Sequence, residues 1–346
     1  MRTADVGVAI VGLGLIARTH AAAYRAMPGM ARLVAVCDID RAVATAFAEE
    51  FQTKATFDLR DVLDDPDVDV VDLILPHSVH HEAALAVLAA GKHLLLEKPV
   101  AGTFAEAVSI CDAAAAAGVH FMVAENTRYA AAYQAVERLL HDGAIGDVVH
   151  ARTLLRSNEK EHLSQPGYWR TRYALGGGLI LDTGAHSFYL LKWLLGDIRE
   201  VVGFSTKLLP LDNEIEDTAD VRGTLASGAY FTCGFTSVSE IPHSERLELY
   251  GTTGGILVDQ IAQPVVRLFR GDHDYRGEDV GGVSFGPDGW HPGGWHYESV
   301  IVEVKDFVTS LIEGRPPLID SRDCAYAIKV VEASYQSIAS GAPVTV

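Results

Sequence analysis

The first 125 residues alternate short apolar runs with longer alanine-rich runs. Runs such as VGVAIVG, LVAVCD and HLLLE are typical of strands buried on both faces, and the segments between them, such as THAAAYRAM and AVATAFAEEF, have helical composition. Strands that alternate with helices pair in parallel through right-handed crossovers, with helices on both faces of the sheet. The pattern therefore predicts an α/β domain with a doubly wound parallel sheet over residues 1–125.

The pattern changes after a helical segment around residues 133–140. Strand-like runs then follow one another without intervening helices, among them VVHARTLL, EVVGFSTKL, AYFTCGFTSV and ERLELYG. Such an order favours a broad, mostly antiparallel sheet. Because 346 residues exceed the size at which one core usually stops growing, we expect a second domain, α+β, over residues 126–346.

Charge and cysteine content limit the possible partners. The net charge of −18 repels polyanions, so neither nucleic acid nor a membrane is expected as a partner. The apolar stretch at the N-terminus is too short to span a bilayer, and the four cysteines lie far apart without zinc spacing. A cytoplasmic protein with a small-molecule ligand is the simplest interpretation.

The motif GLGLIA at residues 12–17 follows the first predicted strand and opens a helix. In a dinucleotide-binding turn the first glycine, Gly12, permits the tight bend and the second, Gly14, lets the backbone approach a pyrophosphate. Asp38 ends the second strand, where an acidic side chain binds the ribose hydroxyls and disfavours a 2′-phosphate, although Arg41 lies nearby. We therefore predict a Rossmann domain that binds NAD in preference to NADP, with contacts from Gly12, Gly14, Leu15, Ile16, Asp38 and Arg41.

Two charged residues end a buried strand in the segment HLLLEKP. In open parallel sheets ligands bind beyond the carboxyl ends of the strands, so Glu97 and Lys98 are expected at the cofactor crevice. The ammonium group of Lys98 could stabilise alkoxide character on a substrate oxygen as hydride leaves the carbon.

The segment GGGLILDTGAH places Asp182 and His186 four residues apart, on one face of a helix. A carboxylate beside an imidazole supports the protonated ring, as a general base requires. An ordinary surface pair and half of a metal site are the alternatives. No further carboxylate or histidine stands at a spacing typical of metal ligands, so no metal is predicted.

Together, GLGLIA, AGKHLLLEKP and GGGLILDTGAH resemble the motifs of the Gfo/Idh/MocA family of NAD(P)-dependent sugar and cyclitol oxidoreductases, in the family's order and spacing. The resemblance implies that Lys98 and His186 act on the reacting hydroxyl while Asp182 orients His186. The chain departs from the family pattern at Leu75 and His77, which replace the usual threonine and asparagine, and at Tyr189, where many members carry an aspartate.

Further candidates lie near the predicted crevice. Pro76, His77, His80, Glu97, Lys98 and Asn126 are predicted to contact the cofactor, and Lys98, Arg128, Arg156, Trp169, Arg170, Asp182 and His186 the substrate. The arginines could instead be solvated, and Trp169 could be a packing residue. A long loop over residues 271–298 contains Trp290, His291, Trp295 and His296, which could reach the substrate or form an interface.

The predicted function is hydride transfer between NAD and a secondary hydroxyl, or the corresponding carbonyl, of a sugar, sugar derivative or cyclitol. An NAD-dependent glycosidase and a non-catalytic dinucleotide-binding regulator are the alternatives. A broad sheet with one uncovered face would need a partner, so a homodimer or homotetramer is expected.

Overall fold

Two β-sheets organise the chain in the computed structural model, which describes residues 5–165, 167–209, 214–241, 243–271, 276–281 and 292–346. The strands are β1 (Val6–Val11), β2 (Ala31–Cys37), β3 (Lys54–Thr56), β4 (Val70–Leu73), β5 (His93–Glu97), β6 (Phe121–Ala124), β7 (Val148–Arg156), β8 (Ile198–Thr206), β9 (Thr218–Leu225), β10 (Tyr230–Thr236), β11 (Ser244–Gly251), β12 (Gly254–Asp259), β13 (Val266–Arg270), β14 (Glu278–Asp279) and β15 (Val344–Thr345).

The helices connect these strands and follow the last long strand. They are α1 (Ala17–Arg25), α2 (Arg41–Phe51), α3 (Leu59–Leu63), α4 (His80–Ala89), α5 (Phe104–Ala117), α6 (Ala131–His141), α7 (Lys160–Leu163), α8 (Ala185–Leu195), α9 (Trp295–Glu313) and α10 (Ser321–Ser340). Among the described residues, no helix is both long enough and apolar enough to cross a bilayer.

Six parallel strands form the first sheet, in the order β3-β2-β1-β4-β5-β6. This confirms the predicted doubly wound sheet. The sheet is buried on both faces, since every residue of β1 and β4 is buried. The short elements β3 and α3 were not predicted, because three to five residues are too few to show a period.

Nine strands form the second sheet, in the order β14-β13-β12-β11-β7-β10-β9-β8-β15. All neighbouring pairs are antiparallel except β7 and β10, which confirms the prediction of a mostly antiparallel sheet. Alternate residues point to opposite faces, and Phe231, Cys233 and Phe235 of β10 are buried while Tyr230 is exposed. One face of this sheet therefore carries much of the second core.

The chain divides into two compact units. Within the described residues, the first comprises 5–126 and 292–325, and the second comprises 127–281 and 326–346. The chain thus leaves the first unit after Asn126 and returns to it for α9, which packs against α1. The predicted division into domains at residues 125 and 126 stays a prediction, and it did not anticipate this return.

All four cysteines are unpaired and buried. Burial raises the pKa of each thiol, and the pKa of Cys111 rises to about 11. Protonated, buried thiols behave as small apolar side chains. The cysteines therefore belong to the two cores.

Candidate active site

The glycine-rich turn joins β1 to α1 in a shape that requires its first glycine. Gly12 has a φ of 91°, and a Cβ there would lie 2.1 Å from the carbonyl oxygen of Ile74. At Gly14, by contrast, a Cβ would meet no described atom within 4 Å. The α1 N-cap residue, Ile16, provides no side-chain cap, and the Ala17 and Thr19 N–H groups donate to the carbonyls of Gly14 and Ile16 within the turn. The positive end of the α1 dipole thus lies at this turn, where it favours an anion. These features fit a dinucleotide pyrophosphate.

Asp38 holds this turn from the end of β2. Its Oδ2 accepts a hydrogen bond from the Leu13 N–H at 3.0 Å, and its Oδ1 accepts one from the Asp40 N–H at 2.9 Å. Arg41, the other charged candidate here, places its guanidinium 4.2 Å from the centre of the Phe57 ring. Asp38 therefore combines a structural role with the position expected for ribose binding.

His80 links the chain segments that follow β4 and β5. Its Nδ1 lies 2.9 Å from the Pro99 carbonyl oxygen and its Nε2 lies 2.8 Å from that of Leu75. Burial lowers the pKa of His80, so the neutral ring donates to one of the two carbonyls. His77 packs edge-on against this ring. Pro76, His77 and His80 thus lie beside the residues that follow Lys98.

Glu97 belongs to a buried polar network beneath the EKP segment. Its Oε1 lies 3.2 Å from His20 Nε2, and its Oε2 accepts the Lys98 N–H at 3.1 Å. His20 Nδ1 lies 2.9 Å from Asp72 Oδ2, which also accepts the Tyr24 hydroxyl. The imidazole thus bridges two carboxylates, and the network fixes the backbone from which Lys98 extends.

The charge state of this network follows from its surroundings. Burial lowers the pKa of His20, but the charge of Asp72 and hydrogen bonds to both carboxylates outweigh burial, so the pKa is well above its usual value. Glu303 of α9 is fully buried, and neither of its carboxyl oxygens has a hydrogen-bond partner among the described residues. Burial, and then the charge of Glu97, raise the pKa of Glu303 well above its usual value, which favours the neutral acid.

Asn126 follows β6 and opens a short 3₁₀ helix, Asn126–Tyr129. It is buried, and its side-chain amide donates to the Ser299 hydroxyl of α9 at 2.9 Å. This contact makes Asn126 a structural residue of the first unit. Its predicted contact with the cofactor stays a prediction.

In the second unit, Asp182 lies in a π-helical turn, Ile180–Gly184, which leads directly into α8. The prediction assumed α-helical spacing for the whole segment. Asp182 Oδ2 lies 3.5 Å from Arg170 Nε, and His186 Nδ1 lies 3.3 Å from the Thr127 hydroxyl oxygen. The structure thus joins Arg170 to Asp182, and it adds Thr127, which sequence reasoning missed because threonine carries no distinctive pattern.

The remaining substrate candidates have partners within the second unit. Arg128 pairs with Glu137 at 3.1 Å and lies 3.9 Å from the centre of the Trp193 ring. Arg156 donates to the Ser244 hydroxyl at 2.7 Å, and the Arg170 guanidinium lies 5.0 Å from the centre of the Trp169 ring. Each of these arginines thus has a partner within the second unit, and their predicted substrate contacts stay predictions.

Two of the four candidates in the segment 271–298 belong to α9. Trp290 and His291 lie outside the described residues. Trp295 and His296 open α9 in the first unit, with ring centres 3.8 Å apart, and Trp295 is buried. Within the described part of the chain, no group of three or more histidine, cysteine, aspartate or glutamate side chains is arranged to hold a metal ion.

His20, Asp72 and Glu303 were also missed by sequence reasoning. His20 stands on the apolar side of α1 in THAAAY, and Asp72 interrupts the apolar run VVDL. A charged or titratable residue within a buried run is a signal that it has a partner. The identity of that partner could not be derived, because His20 is 52 positions from Asp72 and 77 from Glu97.

The fold and these residues define an NAD-binding oxidoreductase, and comparison with known proteins agrees. A family model described as "Oxidoreductase family, NAD-binding Rossmann fold" matches residues 6–125, and one described as "GFO/IDH/MocA C-terminal domain" matches residues 133–257. The chain belongs to the Gfo/Idh/MocA family.

Relatives with named activities are dehydrogenases and reductases. 1,5-Anhydro-D-fructose reductase of Ensifer adhaerens is 33% identical, over 72% of this chain and 74% of that protein. D-Apiose dehydrogenase of Paraburkholderia graminis is 28% identical, over 96% of this chain and 88% of that protein. Levoglucosan dehydrogenase of Pseudarthrobacter phenanthrenivorans is 29% identical, but the match covers only 65% of this chain and 60% of that protein.

A solved structure agrees over nearly the whole chain. Levoglucosan dehydrogenase in complex with NADH superposes with a TM-score of 0.89 and 25% identity, covering 99% of both chains. The predicted family, NAD cofactor and dehydrogenase class are therefore confirmed. The named relatives do not support the glycosidase or regulator alternatives.

Cofactor preference tests the assignment of Asp38. The enzyme should have a higher kcat/KM with NAD than with NADP, and Asp38→Asn should narrow this ratio by about tenfold, because the like-charge repulsion of a 2′-phosphate is lost. Steady-state kinetics with both cofactors measures the ratio. Asp40→Asn, which alters the cap of α2 two residues away, is the control and should leave the ratio unchanged. A wild-type preference for NADP would contradict the assignment.

The neutral state of Glu303 predicts a pH-dependent stability. In the unfolded chain the carboxyl ionises near pH 4.3, whereas the raised pKa of the folded state favours the protonated form above that pH, so the free energy of unfolding falls as pH rises above about 5, by up to about 1.4 kcal/mol per pH unit. His20, with its raised pKa, acts in the same direction above about pH 6.5. Thermal midpoints at each pH should fall less steeply for Glu303→Gln. The exposed Glu298→Gln on the same helix is the control, and parallel curves for Glu303→Gln and wild type would refute a neutral Glu303.

Proposed function

We propose that this protein oxidises a secondary hydroxyl of a sugar, sugar derivative or cyclitol with NAD, or reduces the corresponding carbonyl with NADH. The substrate class is taken from the named relatives, which act on 1,5-anhydro-D-fructose, D-apiose and inositols. Such substrates are small, neutral and rich in hydroxyl groups. They therefore need hydrogen-bonding side chains rather than a strongly charged surface.

The observation that carries the proposal is the arrangement around His186. Its Nδ1 lies 3.3 Å from the Thr127 hydroxyl oxygen, and Asp182, one turn earlier, is paired with Arg170. In the proposed reaction Nδ1–H donates to Thr127, which leaves the lone pair on Nε2 to take the proton of the substrate hydroxyl. Asp182 favours the resulting imidazolium through its charge.

Lys98 is proposed to polarise the same substrate oxygen. Its backbone N–H is tied to Glu97, which is itself held by His20, so the side chain extends from a fixed point at the end of β5. An ammonium group that is already in place stabilises developing negative charge without reorganisation. Bound NAD supplies the hydride acceptor, and Gly12, Gly14, Leu15, Ile16 and Asp38 would hold it.

We also propose a homodimer or homotetramer formed through the exposed face of the nine-stranded sheet. His150, Tyr230 and Tyr250 are cross-strand neighbours on this face, with ring centres 5.1 to 5.4 Å apart, and Phe204 of β8 is 68% exposed. Aromatic residues are enriched in interfaces. A second copy of the chain would bury this face. The predicted cytoplasmic location agrees with four unpaired cysteines and stays part of the proposal.

Removing the charge at position 98 tests the catalytic assignment. Lys98→Ala should bind NADH almost normally, as followed by cofactor fluorescence, yet lose on the order of 10²–10³ in kcat with a sugar or cyclitol substrate. Lys305→Ala, which changes an exposed lysine of α9, is the control.

If Lys98 and His186 act on one oxygen, the losses of activity in Lys98→Ala, His186→Ala and the double variant should not be additive. Full activity of Lys98→Ala would end the assignment.

A charge placed on the sheet face tests the assembly. Phe204→Asp should shift the protein toward the monomer in light scattering coupled to size-exclusion chromatography, because an aspartate would be desolvated in the interface. Ile312→Asp, on a half-exposed position of α9, should not change the mass. A monomeric wild-type protein would exclude the proposed assembly.

A further inference from the structure

Glu216 is a buried carboxylate that the proposed mechanism does not use. It lies just before β9 and is 4% exposed. Its Oε2 accepts the Tyr173 hydroxyl at 2.6 Å, and its Oε1 accepts the Tyr335 hydroxyl at 2.8 Å and the Ile180 N–H at 2.9 Å. Three donors thus satisfy one carboxylate, which is the arrangement a buried charge requires.

The two tyrosines remain protonated donors. Burial, followed by interaction with Glu216, raises the pKa of both Tyr173 and Tyr335 well above the usual value. Ionising either hydroxyl would place a second negative charge against Glu216. Both hydroxyls therefore act as donors to Glu216.

The third donor connects Glu216 to the candidate catalytic segment. Ile180 is the first residue of the π-helical turn Ile180–Gly184 and lies in the first turn of the helical segment, because Leu179 before it already has helical backbone. Leu179 provides no side-chain cap within the described chain. Helix starts leave N–H groups without intrahelical partners, and an acceptor from elsewhere must satisfy them when they are buried. Glu216 supplies that acceptor to the N–H of Ile180, which stands two residues before Asp182 and six before His186.

The same two tyrosines pack closely against the glycine run before this turn. Gly178 has a φ of 127°, and a Cβ there would lie 2.5 Å from the Tyr335 hydroxyl oxygen and 3.3 Å from the Tyr173 ring. At Gly177 a Cβ would lie 2.2 Å from the carbonyl oxygen of Arg170, whose side chain pairs with Asp182. A side chain at Gly178 would thus collide with the two tyrosines that donate to Glu216, and one at Gly177 would collide with the backbone of Arg170.

We propose that Glu216 is a positioning residue for the reaction: by holding the Ile180 N–H it sets where the π-helical turn begins and hence where Asp182 and His186 lie. This inference rests on the proposed role of His186. It assigns Glu216 no contact with substrate or cofactor. It also explains Gly177 and Gly178 of the GGG sequence, which leave room for the two tyrosines and the Arg170 backbone.

Glu216→Gln tests the inference, because the amide keeps the size of the side chain but replaces one acceptor oxygen by an NH₂ donor. A displaced catalytic group costs rate rather than cofactor affinity, so kcat should fall by about tenfold or more while the Kd for NADH stays within about twofold. The imidazole NMR signals of ¹³C-labelled His186, assigned by their loss in His186→Asn, should shift. The matched control is Glu214→Gln, two residues away, which removes only an exposed pair with Arg172.

Each outcome decides the matter. A normal kcat or unchanged His186 signals in folded Glu216→Gln would overturn the inference. If that variant does not fold, Tyr335→Phe removes one donor and should lower kcat in the same direction, and a normal kcat and normal signals there would also overturn it. Lys98→Ala is assayed alongside: full activity in that variant refutes the proposed function itself, whereas an inactive Lys98→Ala with a normal Glu216→Gln refutes the positioning role alone.

Discussion

A buried carboxylate needs hydrogen-bond donors, and this requirement shapes both units of the protein. Glu97 meets it with the His20 ring and the Lys98 N–H, and Glu216 meets it with two tyrosines and the Ile180 N–H. A charge left without donors would cost several kcal/mol. Each carboxylate therefore fixes backbone next to a residue proposed to act on the substrate.

The two networks use different kinds of donor. In the first unit the His20 imidazole bridges Asp72 and Glu97, which keep its pKa above the usual value despite burial, while burial and then the charge of Glu97 raise the pKa of Glu303. In the second unit neutral hydroxyls satisfy a single anion. Burial and then Glu216 raise the pKa of both tyrosines, so the second network keeps its two hydroxyl donors.

The pattern of neighbouring residues was sufficient to predict the fold class and the candidate residues that belong to sequence motifs. The alternation of apolar and alanine-rich runs predicted the parallel sheet, and GLGLIA with Asp38 predicted NAD, because these signals span few residues and depend on backbone geometry alone. The pattern failed at β3, at α3 and at the π-helical turn, each of which depends on neighbours distant in sequence. It also did not anticipate the return of α9 to the first unit.

The sequence by itself determined the alternation of the longer strands and helices in the first unit, the glycine-rich turn at Gly12 and the presence of Lys98, Asp182 and His186. Only the tertiary structure decided which buried groups face one another, as with Glu303 beside the His20 network and Tyr335 beside Gly178. The physical reason is range. Strand and turn preferences are set by a few adjacent residues, whereas the partner of a buried charge is chosen by packing between segments that here lie 43 to 119 residues apart.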